Sequence, residues 1–97
     1  MEFRKGILFI RLKGDLNKST IKGIIDDNFK YIVLNIDNMY SIDSYSIKYL
    51  NKLYKNFEED KGKMIICDKF NISRRLLNNI PKIDNEYDAF KLFERMI

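Results

Sequence analysis

Histidine and tryptophan are missing from this 97-residue chain, which holds one cysteine, one proline and four glycines. Without histidine there is no Ser-His-Asp or Cys-His nucleophile, no histidine zinc site and no imidazole to move protons near neutral pH. The lone Cys67 has no partner for an intrachain disulfide, which fits a reducing compartment. It sits in an apolar run and reads as a small core residue. Apolar runs such as Ile7 to Ile10 and Tyr31 to Leu34 fall far short of the roughly 20 residues that a spanning helix needs. Glu2, Arg4 and Lys5 precede only a brief apolar stretch, so neither a signal peptide nor membrane insertion is expected, and the expected location is cytoplasmic. No Walker-type or dinucleotide glycine motif is present, and no cofactor is expected. Two acids, Asp37 and Asp43, without a third ligand in view, do not make a divalent cation site.

Apolar residues make up 45% of the chain and charged residues 33%, the balance of a folded globular protein. The length suits one domain over residues 1–97. The net charge is +4, but the basic residues are interleaved with acids and Arg74-Arg75 is the one adjacent arginine pair. No zinc-finger spacing, basic-region heptad or aromatic RNA-binding block accompanies them, so direct nucleic-acid binding is not expected.

Hydrophobic periodicity orders the chain as ββαβαβαβα. Phe3 to Lys5 and Ile7 to Lys13 read as two strands around a turn at Gly6. Gly14-Asp15-Leu16-Asn17 breaks the pattern, and Ser19 or Thr20 can cap a helix in which Ile21, Ile24 and Ile25 repeat at helical spacing, ending near Asp27-Asn28. Tyr31 to Ile36 is a nearly continuous apolar run, as in a central strand covered on both faces. After a loop at residues 38–42, Ile47, Leu50, Leu53, Tyr54 and Phe57 mark an amphipathic helix that starts at Asp43-Ser44 and closes between Glu58 and Gly62. Lys63 to Cys67 is a buried strand, residues 73–79 a short helix with Leu76 and Leu77 inward, and residues 80–83 an extended edge segment marked by Pro81. Asn85 is the N-cap of a last helix. Strands alternating with helices predict an α/β fold with a mixed central β-sheet of four to five strands and about four helices.

The segment carrying most chemical information runs from Tyr31 to Ile47, where a buried strand leads to an Asp-Ser pair at the mouth of a helix. A serine there lies beside unpaired backbone N–H groups and the positive end of the helix dipole, which favour an added phosphate. The same pair also reads as a plain N-cap.

In this setting the chain resembles the STAS domain family, named for sulfate transporters and anti-sigma factor antagonists. Ile10-Arg11-Leu12-Lys13-Gly14-Asp15-Leu16 is similar to the family's R-L-x-G-E-L-D strand and turn, and Tyr31 to Ile36 to its central strand. Ile42-Asp43-Ser44 resembles its x-D-S-S-G motif, Gly62 to Cys67 the strand after its glycine pair, Arg74 to Leu77 the short helix that follows, and Asp88-Ala89-Phe90 the E-A-L of its last helix. Tyr45 and Ser46 depart from the small residue and the glycine usual after the motif.

The resemblance implies a STAS-like fold and an anti-sigma factor antagonist, a binding module and phosphorylation substrate rather than an enzyme. Its implied partner is an anti-sigma factor with serine kinase activity, which it binds in the unphosphorylated form so that a sigma factor is released; a phosphatase restores that form. Ser44 would be the phosphoacceptor, with Ser41 and Ser46 as alternative acceptors. Asp15, Leu16, Ser41, Asp43, Ser44, Tyr45 and Ser46 would form the partner-binding surface. The family also supplies accessory subunits of membrane transporter complexes, so a constitutive transporter scaffold is the second reading.

Overall fold

Five strands form one mixed sheet in the order β1-β2-β3-β4-β5, as seen in a computed structural model that describes residues 2–21, 29–73 and 76–97. β1 (Glu2–Arg4) and β2 (Ile7–Leu16) make an antiparallel hairpin. Both connecting residues, Lys5 (φ 49°) and Gly6 (φ 86°), have positive φ, the backbone of the tight hairpin turn whose twist matches the strands. β2, β3 (Tyr31–Ile42), β4 (Lys63–Cys67) and β5 (Lys82–Ile83) run parallel. Helix α1 (Lys18–Ile21) follows β2, α2 (Ser44–Glu59) joins β3 to β4, and α3 (Glu86–Glu94) follows β5.

The sheet is buried on both faces, which explains the near-continuous apolar runs of its inner strands. Strand alternation sends Leu8, Ile10, Leu12, Ile32, Leu34, Ile36, Met64 and Ile66 to one cluster, closed by Leu50 and Phe57 of α2. Ile7, Phe9, Val33, Ile65 and Cys67 point to the other cluster, closed by Ala89 and Phe93 of α3. β3 is the middle strand, as its sequence predicts.

α3 is also held by charge. Asn85 caps it by accepting from the Asp88 N–H at 2.8 Å. Glu86 receives Arg11 Nε at 2.9 Å, Arg11 Nη2 at 2.6 Å and Asn35 Nδ2 at 2.7 Å. Arg11 Nη2 also reaches Glu2 at 3.1 Å, so one guanidinium ties β1 and β2 to α3.

The structure differs from the sequence reading in several places. β2 continues through Gly14 to Leu16, and β3 continues through the expected loop to Ile42. Register shifts between Arg11 and Lys13 and between Gly14 and Asp15 absorb the left-handed backbone of Gly14 (φ 69°), so pairing resumes beyond it. The cap of α1 is Asn17 rather than Ser19 or Thr20: its side chain accepts from the Ser19 and Thr20 N–H groups at 3.0 and 3.2 Å, while its own N–H donates to the Thr20 hydroxyl at 2.8 Å. The rest of the expected first helix, with Ile24 and Ile25, lies outside the described residues, as does the pair Arg74-Arg75.

The expected short helix at 73–79 is a set of turns among its described residues, leaving three helices among the described residues rather than about four. Ser73 O accepts from both Leu76 and Leu77 N–H groups, and the buried Asp68 carboxylate takes the N–H groups of Ile72 and Ser73 and the Ser73 hydroxyl at 2.7 to 2.8 Å. Those side-chain bonds compete with a helical start. Leu77 is buried as expected, whereas Leu76 is 40% exposed. The last extended segment shortens to Lys82–Ile83, with Pro81 contributing its carbonyl to the Ile66 N–H at 2.9 Å and Ile80 dropping into the core.

Candidate functional site

Because β2, β3 and β4 are parallel, their C-terminal ends meet at one edge of the sheet, where ligands and partners of open α/β sheets commonly bind. Pairing of β2 with β3 sets Asp15 opposite Ser41 and Leu16 opposite Ile42. The Ser41 hydroxyl donates to Asp15 Oδ1 at 2.7 Å, and the Asp43 N–H donates to Leu16 O at 3.0 Å, fixing the chain where it leaves the sheet for α2.

Asp43 is the N-cap of α2. Its backbone is extended (φ −86°, ψ 170°), its side chain accepts from the Ser46 N–H at 2.8 Å and its carbonyl from the Ile47 N–H at 3.0 Å. The bond from the Ser46 N–H holds Asp43 below the usual carboxylate range. Asp43 is therefore ionised at neutral pH and committed to the helix.

Ser44 follows as the first residue of a 16-residue helix and is exposed. Its backbone belongs to the turn whose N–H groups lack carbonyl partners, so a negative group on its hydroxyl is favoured by the local dipole. Tyr45 is 38% exposed, and the Lys18 ammonium lies 5.6 Å from the centre of its ring.

Two residues expected on the binding surface are placed beneath it. Leu16 is 3% exposed and packs into the core cluster under α2. Ser46 is fully buried, and its hydroxyl has no hydrogen-bond partner among the described residues. Both support the surface from below: Leu16 offers its carbonyl and Ser46 its N–H to Asp43. Asp15, Ser41, Asp43, Ser44 and Tyr45 are exposed together at this edge. Asp37, the other acid of this segment, is used elsewhere, accepting from the Lys69 N–H at 2.9 Å.

The site thus offers a hydroxyl at a helix start beside a capped, ionised carboxylate, with an aromatic ring and one cation close by. The model of the STAS domain family matches residues 1–93 of this sequence. The chain belongs to the STAS domain family. It is similar to an anti-sigma F factor antagonist of Paenibacillus polymyxa, with 29% identity over 108 aligned residues, covering 97% of this chain and 92% of that protein. Its fold is similar to the solved structure of the anti-sigma factor antagonist SpoIIAA in its unphosphorylated form, with a TM-score of 0.77 and 16% identity over 100% of this chain and 96% of that one.

Within this STAS domain, sequence reasoning missed Lys18 and Tyr40. Lys18 lies 27 positions before Tyr45 and reaches it only because β2 and β3 end side by side. Tyr40, assigned to a loop, is in β3 and is 85% exposed near the same edge. The signal that could have marked it is strand alternation beyond Ile36, which sends Met39 inward and Tyr40 outward.

Proposed function

We propose that this STAS domain is an anti-sigma factor antagonist whose binding state is set by phosphorylation of Ser44. Its partner is an anti-sigma factor that is also an ATP-dependent serine kinase. The unphosphorylated chain binds that partner and so frees a sigma factor, regulating transcription in the cytoplasm; a phosphatase resets it. Family membership and the similarity to an anti-sigma F factor antagonist support the reading. The observation that carries the choice of residue is the different fate of three serines: Ser46 is buried, Ser41 donates to Asp15, and Ser44 stands exposed at the first position of α2.

The chain acts here as substrate and binding module, not as catalyst. In the transfer, the Ser44 hydroxyl oxygen forms a bond to the γ-phosphorus of ATP held by the partner. The bond from that phosphorus to the ADP oxygen breaks, and the hydroxyl proton passes to a base of the kinase. The product carries about −1.5 to −2 charges beside Asp43, which repels an acidic contact and leaves the buried framework in place.

The test is reconstitution with the kinase-type anti-sigma factor encoded in the same genome. Incubation with ATP adds one phosphate to the intact mass, Ser44→Ala abolishes the gain, and the phosphorylated chain loses partner binding. Absence of both binding and phosphate transfer would overturn the proposal and turn attention to the constitutive transporter scaffold.

A further inference from the structure

A phosphate on Ser44 meets an unfavourable neighbour at once, the ionised Asp43 that already caps the helix, with Asp15 on the adjoining strand end. Two lysines, one on α2 and one on α1, are the cations to weigh against it. Lys48 lies four residues further along α2, the ordinary spacing for an intrahelical pair. Lys18 comes from the other side, at the start of α1, and is exposed. Leu16, two residues before it, accepts the Asp43 N–H at 3.0 Å, and the Lys18 ammonium rests 5.6 Å from the centre of the Tyr45 ring. The chain carrying Lys18 is thus tied to Asp43 through Leu16 and its ammonium to Tyr45, the two neighbours of Ser44.

The geometry points to Lys18 as the counter-charge of the modified state: its ammonium leaves the Tyr45 ring and pairs with a phosphate on Ser44. The inference rests on Ser44 as the phosphoacceptor and adds a device to it. In the unmodified chain Lys18 covers Tyr45, which belongs to the exposed edge a partner would meet. In the modified chain the cation is withdrawn, the ring is uncovered, and the start of α1 is tied to the start of α2 by an ion pair. A phosphate is a stronger partner for an ammonium than an aromatic face, because the charge-assisted hydrogen bond adds to the ionic attraction. Phosphorylation would therefore change an aromatic contact as well as the local charge.

The experiment installs phosphoserine at position 44 during translation, so it needs no kinase and its result stands apart from whether the native partner modifies Ser44. Phosphorus NMR then follows the second ionisation of the phosphate with pH at low salt. A nearby cation favours the dianion and lowers the midpoint, so Lys18→Met raises it by about half a pH unit, while Lys18→Arg restores the wild-type value. In proton spectra, the ε-methylene signals of Lys18 are shifted upfield by the Tyr45 ring in the unmodified chain and return to ordinary positions once phosphate is present. Equal midpoints for wild type and Lys18→Met, with Lys48→Met alone moving the midpoint, would show plain intrahelical pairing and overturn the inference. Lys18 signals that stay upfield in the phosphorylated chain would overturn it as well.

Discussion

Asp43 and Ser46 share one hydrogen bond, yet they answer substitution in opposite directions. Asp43→Ala removes the side-chain acceptor that satisfies the Ser46 N–H. Loss of a cap in a domain of this size lowers the thermal midpoint by roughly 4–8 °C, and Asp43→Asn retains most of it. Ser46 contributes its backbone to that bond, while its hydroxyl is buried without a partner among the described residues. Ser46→Ala removes an unsatisfied buried group and improves helix propensity, so stability rises by up to about 1 kcal/mol. Thermal and urea unfolding followed by circular dichroism decide both. Destabilisation by Ser46→Ala would mean that the hydroxyl is satisfied in solution. Because Ser46 is buried, the same variant leaves partner affinity unchanged, whereas a true surface contact would lose it.

α3 is held onto the sheet by Ala89 and Phe93 from below and by Glu86 at its start. The bidentate bond from Arg11, and then the bond from Asn35, hold the Glu86 carboxyl below its ordinary range, while the bonds to Glu86 and then to Glu2 raise the Arg11 guanidinium. A carboxylate whose folded pKa is depressed contributes stability that is fully present above its unfolded value and is lost as pH falls through the folded value. Arg11 is 42% exposed, so water screens the pair, and Glu86→Gln costs about 1 kcal/mol near neutral pH. The gap between wild type and Glu86→Gln should close as urea midpoints are followed from about pH 7 to 3. A constant gap would mean that the loss comes from helix packing rather than from the ion pair. The elements themselves were legible to different degrees. α2 and α3 were readable because their apolar spacing and the Asp43 and Asn85 caps agree. The turns at 73–79 were not, because a carboxylate five positions upstream, Asp68, takes up the backbone donors that a helix would have used.

For the whole molecule, the probe is Cys67 in the sheet interior. It is fully buried in β4 between β3 and β5, facing the cluster closed by α3, and burial pushes its thiol up to about 12. At neutral pH the reactive thiolate is nearly absent and reagent is excluded, so labelling should proceed only through opening of the sheet. Its dependence on urea should track global unfolding seen by circular dichroism. Labelling much faster than that would show β4 opening by itself. The central place of β3 and its burial on both faces could be read from consecutive apolar residues such as Ile32, Val33 and Leu34, since burial on both faces demands apolar residues at consecutive positions. The sequence also determined where α2 starts, with Asp43 as its cap and Ser44 as its first residue, because a cap is a local matter. What only the tertiary structure decided is which side chains share that edge: the Ser41–Asp15 bond, the burial of Leu16 and Ser46, and Lys18 over Tyr45. Those depend on the register shifts that carry β2 and β3 past Gly14, a long-range pairing that no local pattern encodes.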